Sequence, residues 1–344
     1  MAKTLKDYFP MIRSRKEVLA EIEKRPELLN KFESWKEEYQ EEFLDFCTGV
    51  RGAKIMYDPF FKEVFNPEYH PERVEKFISI MLRQKVKIRQ ILPNDSVRIT
   101  DECTLLITDI VVELEDGSLV NVEIQKIGYA FPGERMACYS ADLLLRQYKR
   151  VRARRKKKFT YRDMKDVSVI VLFEKSTEEF RQIKEVYVHH GETEFDTGLK
   201  LNTLQKYILI SLDIFRECKH NKDIKDELDA WLSFLCFDEP EEIIRLIEAY
   251  PEFKVMYEEI YQMCLNIEGV MNMFSPELRE IDRNTVQYMI EEQEKRLEEQ
   301  NKALKENAEK LEEQGKELAA KDELLEAMRA ENEALKAALE KAQK

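Results

Sequence analysis

Apolar residues recur at helical spacing through the first part of this 344-residue chain. Over residues 14–47 they stand three or four positions apart among charged residues, which is typical of helices that bury one face. A helix is predicted to begin at Asp58-Pro59, with the aspartate as its capping carboxylate and the proline in its first turn. Another helix is predicted from residue 71 to about residue 84. The chain therefore begins with a helical region.

The spacing changes to that of strands after Pro93. Residues 104–114 (TLLITDIVVEL) are rich in β-forming residues, and residues 118–125 (SLVNVEIQ) repeat that composition. The dipeptide Asp116-Gly117 between them is typical of a tight hairpin turn. The sequence therefore predicts two neighbouring antiparallel strands.

Helices and strands alternate after this hairpin. The patterns predict a helix at 134–149, a buried strand at 167–173, a shorter strand near 185–189, and helices again beyond about Asn202. This order predicts an α/β fold in which helices flank a mixed sheet.

A heptad repeat dominates the end of the chain. Apolar residues recur every seven positions at Ile290, Leu297, Leu304, Leu311, Leu318 and Leu325. This spacing predicts a coiled coil over 286–344, through which we expect the chain to form a homo-oligomer. Polar residues fill much of the other core position and Gly315 interrupts it, which indicates a marginal dimer, with a solvated single helix as the alternative.

Composition excludes several classes of protein. The chain has no 18-residue apolar run and no signal-peptide pattern, so we expect a cytoplasmic protein with no membrane span. Its six cysteines form no CxxC pair, its four histidines are scattered, and no Walker or GxGxxG motif is present. The net charge of −13 argues against a simple basic coat for nucleic acid, although one segment is strongly cationic.

Two acidic residues of the predicted hairpin are candidates for a metal site. Glu123 and Gln125 share one strand face, and the turn at Asp116-Gly117 folds the strand that carries Asp109 back beside them. Paired carboxylates on rigid strands provide the oxygen ligands that Mg²⁺ prefers. The alternative is that Asp109 and Glu123 are solvent-facing residues of a half-exposed hairpin. The apolar neighbours of both acids favour the metal site, because an unpaired buried charge is costly.

A basic surface is predicted directly after the hairpin. Arg135, Tyr139, Asp142 and Arg146 stand four, three and four residues apart, which places them on one helical face. Such a face could hold phosphate, or it could be merely solvated. The segment 146–165 adds dense positive charge with interleaved aromatics, and the cations we expect to bind DNA phosphates there are Arg154, Arg155, Lys156, Lys157 and Lys158. A disordered solubilising loop is the alternative for this segment.

Four segments taken in order resemble a known family. MYDPFFKEVF, LLITDIVVEL, DGSLVNVEIQ and ERMACYSADLLL are similar to the PD-(D/E)XK nuclease family transposases, relatives of the recombination-promoting nucleases. The resemblance covers about residues 50–240. It implies a restriction-endonuclease-like fold and a DNA endonuclease that acts on double-stranded DNA with Mg²⁺, or alternatively Mn²⁺, in recombination or mobile-element activity.

The resemblance also assigns roles to individual residues. Asp109 matches the motif aspartate, Glu123 the acid of the ExK element, and Gln125 the position of its lysine. Glutamine can orient a water molecule but carries no cation to lower its pKa, and alternation turns the adjacent Lys126 to the other strand face. Asp58 matches the aspartate of the DPFFK segment of the family, which implies a further acid near the metal, with a helix cap as the alternative. Lys62 shares that predicted helix and could contact phosphate, with an exposed lysine of no role as the alternative. Arg135 and Tyr139 match the R-x₃-Y helix of the family.

These features predict four regions and two functions. The regions are a helical lead-in (1–50), a nuclease core (51–200), a helical extension (201–285) and a coiled-coil tail (286–344). The favoured function is a metal-dependent DNA endonuclease. The alternative is a DNA-binding or scaffolding protein that keeps the fold, dimerises through its tail and cleaves weakly or not at all, and Gln125 in the lysine position keeps this alternative open.

Overall fold

A computed structural model describes residues 3–93, 110–125 and 132–274, together with isolated helical positions at 302, 304, 310 and 321. The chain divides into two compact units, Met1–Asp282 and Arg283–Lys344. The predicted coiled coil lies outside the described residues apart from those four positions, and it stays a prediction. Residues 104–109 of the predicted hairpin lie outside them as well.

The described part of the first unit contains helices before and after the strands of a sheet. The helices are α1 (Leu5–Tyr8), α2 (Arg15–Glu23), α3 (Pro26–Glu33), α4 (Glu37–Cys47), α5 (Asp58–Val64), α6 (Pro71–Met81), α7 (Pro132–Arg155), α8 (Glu178–Arg181), α9 (Leu212–Lys219), α10 (Glu227–Cys236), α11 (Pro240–Ala249), α12 (Glu252–Met263) and α13 (Ile267–Met273). The strands are β1 (Ile88–Ile91), β2 (Ile110–Leu114), β3 (Leu119–Gln125), β4 (Val167–Phe173), β5 (Val188–Glu192) and β6 (Gln205–Ser211). None of the helices in these ranges is long and apolar enough to cross a membrane.

Within the described residues the strands form one mixed sheet in the order β1-β2-β3-β4-β6-β5. The pairs β1–β2, β2–β3 and β5–β6 are antiparallel, whereas β3–β4 and β4–β6 are parallel. Parallel pairing brings the carboxyl ends of β3, β4 and β6 to the same edge of the sheet. The predicted mixed α/β architecture is therefore confirmed.

The two faces of the sheet pack against different layers. On one face, Val120 and Val122 of β3 belong to a large hydrophobic core, together with residues of the helices before and after the sheet. In that core Phe46 packs against Phe60 and Phe274. On the other face, Leu119 joins a smaller core with residues of α7. Every residue of β4 is buried, as expected for a central strand covered on both sides.

Several predicted boundaries are confirmed and others are corrected. The strand predicted at 167–173 matches β4, and the helical spacing over 14–47 corresponds to α2, α3 and α4. Helix α6 ends at Met81, before the predicted residue 84, and the strand predicted near 185–189 is β5 at 188–192.

Strands β1 and β6 were not predicted. Residues 205–211 were read as part of a helical region, but they form β6, which pairs with both β4 and β5. A short apolar run does not by itself distinguish a strand from a buried helix segment, and only the neighbouring strands decide it.

Helix α7 is longer than predicted, because it continues from residue 149 to Arg155. Arginine and lysine are good helix formers, so the dense positive charge does not end the helix. It ends where Lys156 adopts a left-handed backbone conformation with φ of 50°.

Candidate functional site

Three polar side chains lie buried along one face of β3. Asn121, Glu123 and Gln125 are at most 3% exposed, although strands of this kind usually bury apolar residues. They stand two residues apart, so alternation directs all three toward the layer that contains α7. Leu119, on the same strand face, packs in that layer. Sequence reasoning identified Glu123 and Gln125 but missed Asn121, which the same alternation would have found.

The contacts of these side chains leave oxygen atoms unsatisfied. Asn121 Nδ2 donates a hydrogen bond of 2.7 Å to Glu123 Oε1. The side-chain oxygens of Asn121 and Gln125 are buried and have no hydrogen-bond partner among the described residues. Buried polar oxygens are nearly always satisfied, so these two amide oxygens are available to accept a hydrogen bond from water or to bind a cation.

The backbone holds this face rigidly. Glu123 pairs with Val171 of the buried strand β4, and the carbonyl of Gln125 accepts a 2.8 Å hydrogen bond from the amide of Glu174. On the other side of β3, Ile110 pairs with Val122. Asp109, the residue before Ile110, lies outside the described residues, as does Lys126.

The donor set of this face fits a hard divalent cation. One carboxylate and two amide oxygens offer only oxygen, the ligand type that Mg²⁺ and Mn²⁺ accept. Within the ranges 3–93, 110–125 and 132–274, no group of three or more His, Cys, Asp and Glu residues could hold a metal by itself. Two further candidate acids, Asp109 and Asp58, have side chains outside the described part of the structure.

The start of α7 brings together Arg135 and Tyr139. Arg135 Nε donates a 2.9 Å hydrogen bond to the Tyr139 hydroxyl, and its guanidinium carbon lies 5.5 Å from the centre of that ring. Tyr139 is 1% exposed and packs with Leu143 on the sheet. The tyrosine is thus fixed by the core and in turn orients the arginine.

Further along α7, Arg146 is directed at protein groups. Its Nε lies 2.7 Å from Asp142 Oδ2, and its Nη1 donates a 2.8 Å hydrogen bond to the carbonyl of Pro93. Arg146 is only 7% exposed. The helical face predicted from the spacing therefore turns toward the protein and is not a solvated face.

Glu113 of β2 forms ion pairs with three arginines, and the sequence alone did not predict these pairs. It is 1% exposed, and its carboxylate lies 2.6 Å from Arg150, 3.3 Å from Arg154 and 3.5 Å from Arg89. Gln90 Nε2 also donates to it, at 2.5 Å. One carboxylate cannot neutralise three guanidinium groups, so this end of α7 keeps a net positive charge. Strand alternation could have identified Glu113 from the sequence, because it places this residue on the same strand face as the apolar Val111.

The basic segment after α7 is folded, not a disordered loop. Residues Lys156–Lys158 and Tyr161–Asp163 form two short 3-10 turns. Arg155 pairs with Asp163 at 3.2 Å, and the backbone amide of Thr160 lowers the pKa of Asp163 by donating to its carboxylate. The three lysines 156–158 are exposed. They are predicted phosphate contacts that remain open to solvent.

Helix α5 carries the last two predicted site residues. Lys62 is exposed. Tyr57 occupies the capping position of α5 and Asp58 is its first helical residue, so the prediction that Asp58 is the capping residue is wrong. The side chain of Asp58 is outside the described part of the structure, and its proposed role near the metal stays a prediction.

The sheet and its buried polar strand face define a class of protein. A mixed sheet with flanking helices and a buried acid on a central strand, followed by a helix that carries arginine and tyrosine, is consistent with a PD-(D/E)XK fold. The model of the family described as PD-(D/E)XK nuclease family transposase matches residues 55–287, more than half of the chain, and the chain belongs to this family. Comparison with curated proteins and with solved structures gave no match.

Membership of the family indicates a nuclease or mobile-element function. PD-(D/E)XK nucleases generally use divalent metals, and their substrate is DNA. The matched region begins just before α5 and includes every described strand.

Proposed function

We propose that this chain is an endonuclease that hydrolyses phosphodiester bonds of double-stranded DNA with Mg²⁺, or alternatively Mn²⁺. The observation that carries the proposal is the buried row Asn121, Glu123 and Gln125 on a central strand, in which the carboxylate is accompanied by two amide oxygens that have no hydrogen-bond partner among the described residues. Asp109 is the proposed second acid, because it directly precedes Ile110, whose partner Val122 directly precedes Glu123.

Each residue has a defined task in the proposed reaction. Asp109 and Glu123 would hold the metal, which supplies Lewis-acid stabilisation of the phosphodiester when bound. Asn121 holds the Glu123 carboxylate through its 2.7 Å hydrogen bond. Gln125 would orient the attacking water through its amide, and Arg135, held by Tyr139, would bind a phosphate oxygen. A role of Asp58 beside the metal, and of Lys62 and the basic segment in phosphate binding, is part of the same proposal.

Plasmid nicking by the purified full chain tests this assignment. Glu123→Gln and Asp109→Asn should each reduce Mg²⁺-dependent nicking by at least about a hundredfold, because electrostatic stabilisation of the transition state is lost. A matched control is Glu242→Gln, since Glu242 is also buried but pairs with Arg245 in α11. Undiminished nicking by either site variant, with the control equally active, would show that the site is elsewhere.

A second function is DNA binding without efficient cleavage. Gln125 in the position of the motif lysine favours it, because the buried row then lacks a cation to activate water. Wild-type protein that binds DNA but leaves it intact in both Mg²⁺ and Mn²⁺ would support this second function over the first.

A further inference from the structure

Three aromatic rings meet just beyond the end of α7. Tyr148, Phe159 and Tyr161 form what we name the aromatic knuckle, with ring centres 5.4 Å apart for Tyr148–Phe159 and 5.5 Å apart for Phe159–Tyr161. Tyr161 lies nearly parallel to Tyr148, at 16° and 6.2 Å. Tyr161 is nevertheless 77% exposed. One of its faces is therefore supported by the cluster while much of the ring is open to solvent.

The turn that presents Tyr161 is firmly built. Thr160 and Asp163 form a reciprocal capping box, and Asp163 also pairs with Arg155 of α7. The amide of Lys165 donates a 2.8 Å hydrogen bond to Gln147 Oε1, which ties the end of the turn back to the helix. A fixed ring loses little conformational freedom when it binds a flat partner, and this makes it a better stacking surface than a mobile one.

Basic residues flank the members of the aromatic knuckle along the chain. Arg152 donates to the Tyr148 hydroxyl at 2.5 Å, with its guanidinium carbon 5.6 Å from the Tyr148 ring centre. Lysines 156–158 are exposed and directly precede Phe159 in sequence. Cations beside an exposed aromatic surface are the combination that proteins use to bind single-stranded nucleic acid, with phosphates on the cations and bases on the rings.

We propose that the aromatic knuckle binds an unpaired base of single-stranded DNA, with Tyr161 as the stacking surface and lysines 156–158 on the adjoining phosphates. This inference rests on the proposed function in taking DNA as the polyanion. It narrows the substrate to DNA that contains an unpaired segment, such as a tailed or forked duplex. In a continuous duplex the bases are stacked on one another, so their flat faces are not available to Tyr161.

The knuckle is separate from the buried row on β3. Arg135 and Arg155 stand twenty residues apart on α7, which at about 1.5 Å per residue corresponds to about 30 Å. Binding at the knuckle can therefore be measured without the metal site.

The test is metal-free binding by the full chain, with EDTA present so that no cleavage occurs. The probes are fluorescent twelve-nucleotide oligothymidine, an abasic oligomer of the same length and charge, and a blunt duplex. Tyr161→Ala should weaken oligothymidine binding about tenfold and leave the abasic and duplex affinities within twofold, because stacking is worth about 1–3 kcal/mol per base. Tyr69→Ala is the matched control: Tyr69 is 72% exposed and lies between α5 and α6, away from the basic segment.

Two further variants distinguish the loss of base stacking from a general change in the structure of the turn that carries Tyr161. Tyr161→Phe should retain oligothymidine binding, because it keeps the ring, and Tyr161→Trp should lose fluorescence on adding oligothymidine but not the abasic oligomer. Equal affinity of wild type and Tyr161→Ala for oligothymidine, or an equal loss on all three probes, would overturn the proposal. The binding test involves no cleavage, so the effect of Glu123→Gln on nicking does not bear on its result. Failure of the stacking test would in turn leave the proposed metal site unchanged.

Discussion

Gln125 decides, at the scale of single residues, how much the metal must contribute to the proposed reaction. Its side chain is 2% exposed and its amide oxygen has no hydrogen-bond partner among the described residues. A glutamine there can orient water but cannot supply charge. The identity of this one side chain thus distinguishes a nuclease in which a cation assists water activation from one in which the metal acts alone.

Replacement of Gln125 by lysine tests that distinction. Gln125→Lys should keep or raise single-turnover cleavage, by up to about tenfold, because the ammonium group would stabilise the attacking hydroxide and pair with the Glu123 carboxylate. The measurement is the cleavage rate at saturating metal and DNA. A loss as deep as that of Asp109→Asn would mean instead that Gln125 has a geometric role that a longer cation cannot fill.

Glu113 shows how a residue outside the proposed metal site shapes the basic surface. Its buried carboxylate holds Arg150 and Arg154 of α7 and Arg89 of β1, all of which remain partly exposed. Substitutions of Arg154 therefore change the environment of a buried acid as well as the surface charge. For this reason the phosphate-binding test is better made on the lysines that follow.

At the scale of elements, α7 connects the proposed chemistry to the proposed binding surface. Its first turns present Arg135, its middle packs Tyr139 and Leu143 on the sheet, and its last turns carry arginines held by Glu113. The lysines of the turn 156–158 extend that positive surface into solvent. Because these lysines are exposed, replacing them removes positive charge without creating a cavity in the hydrophobic core.

Neutralising lysines 156–158 to glutamine should weaken binding to two unrelated duplexes by the same factor. The slope of log affinity against log salt concentration should fall by up to about three units, because each lost phosphate contact removes about one. Cleavage at saturating DNA should persist. The matched control removes the same charge from three exposed lysines of the N-terminal region, Lys16, Lys24 and Lys36. An unchanged slope for the 156–158 variant would mean that these lysines do not contact phosphate.

At the scale of the whole molecule, the two ends of the first unit pack together beside the sheet. Phe9 contacts Tyr261, and Phe46 contacts Phe274, so residues more than two hundred positions apart share one core. Gly52 lies at one contact between these parts, where its amide donates a 2.7 Å hydrogen bond to the carbonyl of Asp238. The helices at both ends thus support the sheet as one body of packed side chains.

Gly52→Ala should lower the free energy of unfolding by about 1–3 kcal/mol, because overpacking forces neighbours to move. A methyl group there would lie 2.2 Å from Ile243 Cδ1 and 3.2 Å from the Asp238 carbonyl oxygen. Urea unfolding measures the change. Gly191→Ala is the control, since its methyl group would meet Tyr207 at an ordinary 3.5 Å. Equal stability of the two variants would show that the Gly52 contact relaxes without cost.

The sequence by itself determined the features that depend on local order. Strand alternation placed Glu123 and Gln125 on one face, and the buried run 167–173 predicted β4 without error. The ordered motifs predicted the family that the comparison then showed. These inferences succeed because side-chain direction in a strand has a fixed period of two, whatever the rest of the chain does.

Only the tertiary structure decided what depends on distant partners. Strand β6 exists because β4 and β5 pair with it on either side, and Glu113 holds its arginines because α7 crosses the same sheet face. Arg146 likewise donates to the carbonyl of Pro93, which lies 53 residues earlier in the chain. Spacing along a helix shows which residues share a face, but whether that face meets solvent, DNA or protein is determined by what packs against it.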